Sequence, residues 1–154
     1  MSLLQYSNLT SPVEKDIQGS IPLPTTVNAG QGVYVQFANN PRLPAVLDNY
    51  YLTPSTENDI LFGIYVDSSL SIDGYLAFAV NDIDTNIVFG KLNPTLISLQ
   101  NPVKFDHNVL VPANAKLEIT FIPATSSTAG TTESVNFRLM RVPLGYKGNI
   151  IIPK

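Results

Sequence analysis

His107 is the only imidazole among 154 residues, and the chain contains neither cysteine nor tryptophan. A hydrolytic triad built on His107 needs an activated serine beside it, yet no Gly-x-Ser-x-Gly elbow occurs in the sequence. A zinc site needs further nitrogen or sulfur ligands, which the composition does not supply. His107 therefore reads as a turn histidine between two strands. No cofactor and no enzymatic activity are expected.

The acidic residues are the next candidates. Asp67, Asp73, Asp82 and Asp84 flank one apolar run, and Asp82, Asp84 and Asn86 share the alternate-residue spacing that opens a calcium loop. The pattern then breaks, because the sixth position is Ile87 where glycine is required and the twelfth is Asn93 where a bidentate glutamate belongs. A looser calcium site on Asp82, Asp84 and Asn86 stays open beside plain turn chemistry, since Asp and Asn bond their own backbone in turns. A glycosidase would need two carboxylates facing across a cleft. Tyr34, Tyr50, Tyr51, Tyr65, Tyr75 and Tyr146 could stack on a glycan, and could equally anchor a protein interface, where tyrosine is enriched. Gly30 and Gly32 lack the spacing and following helix of a phosphate cradle.

The elements that must carry these residues are strands. No window of a dozen residues keeps a helical apolar stripe free of proline, glycine or β-branched clusters. Strand signals predict elements at 32–37, 59–67, 73–80, 86–91, 95–100, 108–111, 115–122, 133–142 and 148–152, with a shorter one at 45–52. Within 115–122, Leu117, Ile119 and Phe121 alternate with Lys116, Glu118 and Thr120. Within 133–142, Val135, Phe137 and Leu139 alternate with Asn136, Arg138 and Met140. Both read as half-buried antiparallel strands. The runs 60–66 and 75–80 are apolar at nearly every position and are expected to be covered on both faces, by another sheet, an arm or a neighbouring subunit, or as central strands beneath a long loop.

Only 14% of residues are charged, against about 25% in an average soluble domain. A surface of that kind is cheap to desolvate, because buried Lys or Glu costs several kcal/mol unless paired. The net charge of −3 and the scattered Lys and Arg argue against nucleic acid. No apolar run approaches the ~20 residues of a spanning helix, so no membrane partner is expected. The first residues lack the basic and long apolar regions of a secretory leader.

Residues 1–30 are proline-broken but not polar, with Leu3, Leu4, Leu9, Val13, Ile17, Ile21 and Leu23 spread through them. Proline has no N–H to give a central ladder. The expected organisation is an extended N-terminal arm at 1–30, wrapping its own domain or crossing to a neighbour, and a β-sandwich domain at 31–154. The fold class expected is all-β: a single antiparallel sandwich of jelly-roll type.

Two stretches resemble capsid decoration or structural cement proteins of tailed bacteriophages. One runs from Pro24 through Thr-Thr-Val-Asn-Ala-Gly-Gln-Gly-Val-Tyr to Val35 and resumes at 59–67 around Leu61-Phe-Gly-Ile64. The other joins 112–121 to 134–139 and resembles a sandwich hairpin of particle-surface proteins. Together they cover about half the chain, which is longer and has more strands than lambda-type decoration proteins. The resemblance implies a non-enzymatic virion protein on the capsid surface, made in the host cytoplasm. It would bind the major capsid protein or another virion protein, commonly as a homotrimer, and stabilise the shell. The contact residues expected are Leu3, Leu4, Leu9, Val13 and Ile17 of the arm, with Tyr50 and Tyr51. The alternative is a carbohydrate-binding or adhesin-like sandwich using exposed tyrosines, with or without calcium.

Overall fold

Strict alternation builds the centre of the molecule. On Lys116–Pro123, Leu117, Ile119 and Phe121 are buried while Lys116, Glu118 and Thr120 face outward. On Thr131–Pro143, Val135, Phe137 and Leu139 are wholly buried. A period of two puts such side chains on a single face, and the two faces meet as one core that also takes in Leu61, Ile64, Leu76, Phe78 and Val109. The computed structural model describes residues 10–23, 28–65, 74–92, 103–126 and 130–153.

The strands are β1 (Val13–Leu23), β2 (Val33–Tyr34), β3 (Tyr51–Leu52), β4 (Glu57–Tyr65), β5 (Gly74–Val80), β6 (Ile83–Leu92), β7 (Val103–Val111), β8 (Lys116–Pro123) and β9 (Thr131–Pro143). They form two antiparallel sheets, ordered β1-β9-β4-β7 and β2-β8-β5-β6, with β3 also on β8. β2 pairs with β8 at Phe121 and Thr120, and β3 pairs with it at Leu117 and Lys116. Taken together, β2 and β3 occupy one strand position interrupted by a loop. With that position counted once, the order is the doubled Greek key of a jelly roll. The chain is an all-β sandwich, as its strand pattern implies.

The boundary at residue 30 falls inside this domain. Val13–Leu23 is not an arm but β1, paired with β9 from Val13↔Arg141 to Leu23↔Thr131. The prolines misled because an edge strand tolerates them. Ser20 exchanges backbone bonds of 2.8 and 2.7 Å with Gln36, on the side away from β9. Pro22, two residues on, turns its nitrogen the same way, so no ladder bond is lost. Ile21 and Leu23 enter the core, and Ile17 packs at its margin. Leu3, Leu4 and Leu9 lie outside the described residues.

Other elements shift too. The expected strand at 45–52 shrinks to β3, and 95–100 lies outside the described residues. The expected closing strand at 148–152 is irregular chain. It folds back over the outer face of the first sheet, where Tyr146 and Ile152 pack on Phe62, Met140 and Val142. That segment is the second cover of β4, whose last five residues are all buried. β5 differs from the expectation: Leu76 and Phe78 are buried, but Tyr75 is exposed and Ala77 and Ala79 are half-buried. Its outer face is open.

The sheets approach closely at Gly19, where an added Cβ would lie 2.5 Å from a Val35 methyl and 3.0 Å from the Phe37 ring. Gly19→Val should therefore lower unfolding free energy by about 1–3 kcal/mol through overpacking, read from the urea midpoint. Deleting residues 1–17 removes the 13–17 half of β1, and the melting temperature should fall. An unchanged melt would show that β1 adds nothing to the sheet.

Candidate functional site

Three polar or exposed constellations emerge from the fold, one facing inward and two outward. The inward one caps the core at the end where β3, β4 and β9 meet. Asp59 and Arg141 are cross-strand partners in register with the inward pair Leu61↔Leu139, so both side chains point into the sandwich. Arg141 Nε donates to Asp59 Oδ1 at 3.0 Å, and its terminal nitrogen donates to Oδ2 at 3.2 Å. The same nitrogen donates to the Tyr51 hydroxyl at 2.7 Å, which in turn donates to Asp59 Oδ2 at 3.0 Å. Asp59 is fully buried. Burial, then the Asp59 charge, pushes the Tyr51 phenol far above its ordinary range. Burial, the largest single effect, opposes the Arg141 charge, but the Asp59 hydrogen bond together with the charges of Tyr51, Asp59 and Glu57 outweighs it and holds the guanidinium more firmly protonated. This is a closed structural triangle in which the Asp59 and Arg141 charges are paired with each other.

The second constellation lies on the outer face of β5 and β8. A two-residue hairpin at Asn81 and Asp82, with φ of 50° and 66°, joins β5 to β6. Positive φ at both residues is the geometry of a type I′ turn, which Asn and Asp tolerate. The turn is tied to β8 by Asn81 N–H to Lys116 O (2.8 Å) and Lys116 N–H to Asn81 Oδ1 (3.0 Å). That tie brings Asp82 to the Lys116 ammonium at 3.1 Å, with Glu118 at 3.9 Å on its other side. The two carboxyls share a hydrogen bond. Desolvation, then the bond to Asp82, raises the Glu118 pKa above its usual range. The bond from Glu118, followed by Lys116, holds Asp82 below its own. Tyr50 lies under the Lys116 ammonium, 5.4 Å from ring centroid to nitrogen.

Beside this cluster is an open hollow of about 360 Å³. Its floor is the small pair Ala77 and Ala79, and its walls include Tyr34, Thr120, Glu118 and Asp82. Asp84 borders the hollow as well. Among the described residues no group of three or more His, Cys, Asp or Glu is arranged to hold a metal ion, and the Asn86 side chain lies outside them. His107 is exposed within β7 instead of in a turn.

The third feature is the loop between β2 and β3. Leu43, Pro44, Ala45, Val46 and Leu47 are all exposed, Leu43 and Val46 each at 54%. Two successive turns shape the tip, with Leu43 N–H bonded to Asn40 O and Val46 N–H to Leu43 O, both at 3.0 Å. The base is clamped by the reciprocal 2.8 Å bonds of Phe37 and Asp48. Asn39 adds side-chain bonds to Asp48, to Tyr50 O and from Leu52 N–H.

Of the contact residues expected from sequence, Val13 and Ile17 belong to β1 and Tyr51 is committed to the triangle through its hydroxyl. Tyr50 is half-buried beside Lys116. Sequence reasoning put Lys116 and Glu118 on the outward face but did not link them to Asp82, because the link depends on the hairpin. It missed Asp59 and Arg141 altogether. Arg141 keeps the parity of Val135, Phe137 and Leu139, which was a readable sign of an inward charge.

No family model matches the chain, and no curated protein does. Among solved structures it is similar to the C-terminal CBM6 of LamC, a marine laminarinase from Zobellia galactanivorans. The identity is 13%, over 85% of this chain and 99% of that one, with a TM-score of 0.32. A likeness that distant carries no argument about function.

Arg141→Met should cost about 3–5 kcal/mol, since it strands the buried Asp59 charge. Denaturant titration reads the loss, and Arg141→Met combined with Asp59→Leu should recover part of it. Glu118 gives a pH signature. The folded state keeps its proton longer than the unfolded state, so stability present below 4.5 is lost as pH rises through the elevated value. Asp82 contributes the other way, losing stability only as pH falls below 3.8. Glu118→Gln, which cannot ionise, should flatten the decline above pH 4.5 and melt higher than wild type at neutral pH. A pH profile identical to wild type would refute the raised Glu118 pKa.

Proposed function

We propose that this chain is a non-enzymatic structural protein of a virus particle, a capsid decoration or cement protein that stabilises a shell by packing against other protein. The observation that carries the reading is the rigid apolar loop at 40–47. Five consecutive apolar residues exposed to water are costly unless something covers them, and burying them yields roughly 25 cal/mol per Å² of apolar area. The loop is held in shape before it meets a partner, so little ordering entropy is lost on docking. Jelly rolls serve in viral capsid and lectin domains, and a fold alone does not choose between them; the apolar tip favours protein packing.

The low charge points the same way, since uncharged surface desolvates cheaply. The N-terminal segment adds less to this reading than its sequence implied, because 13–23 is occupied within its own sheet. Homotrimerisation and attachment to a major capsid protein or another virion protein remain part of the proposal. The particle surface is the location it implies.

Leu43→Asp combined with Val46→Asp should leave the melting temperature almost unchanged, because neither side chain packs in the core. Wild-type protein should co-sediment with native particles from its source, whereas the double variant should remain in the supernatant. Light scattering after size exclusion should show wild type as a symmetric oligomer. A strict monomer absent from every particle fraction overturns the reading.

A further inference from the structure

The outer face of β5 and β8 has a shape and chemistry that protein packing at the 40–47 loop does not use. We propose that the hollow between Tyr34 and the β5–β6 hairpin is a binding site for one neutral pyranose ring, whether a free sugar or the end of a glycan. This goes beyond the structural reading and does not depend on it.

Size is the first argument. A volume of about 360 Å³ falls at the small end of ligand pockets, which run from about 300 to 1,000 Å³. Depth comes from Ala77 and Ala79, which stand where larger outward side chains would level the sheet. On the same face of β5, Tyr75 two residues before Ala77 is 40% exposed, so the depression is local to the alanine pair.

Chemistry is the second argument. Tyr34 borders the hollow at 45% exposure and offers an aromatic ring to the C–H face of a sugar. Around it stand groups of both hydrogen-bonding senses. Thr120 carries a hydroxyl able to donate, while Asp82, Asp84 and Glu118 carry carboxyl oxygens able to accept. Sugar hydroxyls donate and accept at once, so a mixed set suits them. An anion would meet the carboxylates of Asp82 and Asp84. A cation would compete with Lys116, whose ammonium already lies 3.1 Å from Asp82. A neutral polyol is the class that meets no unpaired charge.

Placement is the third argument. Asn81 anchors the hairpin to Lys116 through two backbone-directed bonds, so the Asp82 wall is positioned without ligand. Preorganisation of this kind is what lets a small polar ligand bind at all.

Saturation-transfer NMR on the full chain, with the methyl pyranosides of glucose, galactose, mannose and N-acetylglucosamine, tests the site. At least one should show transfer, with a dissociation constant on the order of 1 mM. Ala77→Leu fills the floor without removing a polar group and should abolish transfer, with circular dichroism unchanged. Tyr34→Ala should weaken binding by about tenfold, equivalent to ~1.4 kcal/mol. The loop variant Leu43→Asp with Val46→Asp should bind sugar as wild type does, which separates this test from that of particle association. The proposal is overturned if no pyranoside shows transfer, if Ala77→Leu binds undiminished, or if the anionic methyl glycoside of sialic acid binds best.

Discussion

The buried triangle of Asp59, Arg141 and Tyr51 is the constraint around which the rest is arranged. Asp59 has no exposure to water, and an unpaired carboxylate there would cost several kcal/mol. Arg141 supplies the charge from the neighbouring strand, but Tyr51 comes from the opposite sheet, so satisfying Asp59 also fixes one sheet against the other. Tyr51 pairs in register with Leu117, and the next residue with Lys116. The inward bond thereby sets where the base of the apolar loop ends and where Lys116 stands on the outer face. One charged residue in the core thus governs the placement of two features on the surface.

Much of the architecture was legible because alternation is a direct consequence of strand geometry. β8 shows it without interruption; β9 keeps Val135, Phe137 and Leu139 inward as expected, but its other face is covered as well, with Asn136, Met140 and Val142 buried. β4 was equally readable as a strand covered twice, though the cover turned out to be the chain's own irregular segment after Pro143, with Tyr146 and Ile152 on Phe62. β1 was misread for a physical reason. Proline is excluded from central ladders, and sequence does not say that Pro22 sits on an edge with its nitrogen turned outward. That fact belongs to the pairing of Val13–Leu23 with β9, more than a hundred residues away. β5 was misread because Ala77 and Ala79 count as apolar in a run, yet they are small enough to leave the face open.

The candidate sites were less legible because each is assembled from distant segments. Asp82 and Asp84 drew attention as a calcium pattern, but the partners they meet are Lys116 and Glu118, brought over by the Asn81 hairpin. Once those partners are present, the acidic spacing reads as one wall of a mixed polar hollow. Tyr51 stood out as an exposed contact because tyrosine favours interfaces, whereas its hydroxyl was needed inside. Of the apolar tip at Leu43 to Leu47, the residues Ala45 to Leu47 fell within an expected strand at 45–52. The prolines at 41 and 44 and the Asn39 clamp make it a loop instead.

The pairing of β1 with β9 also bears on how the chain reaches this structure. Val13 bonds across to Arg141, so a strand from the beginning of the chain waits for one near its end. Loop closure of that span precedes any reward from the pairing, which slows folding in sheets dominated by non-local contacts. On a ribosome, β1 emerges first and finds its edge last. Until β9 arrives, the edge of β1 that will pair with it is open to pairing with another nascent chain. The order in which the strands are synthesised therefore makes the time spent unpaired, more than the final stability, the vulnerable quantity of this protein.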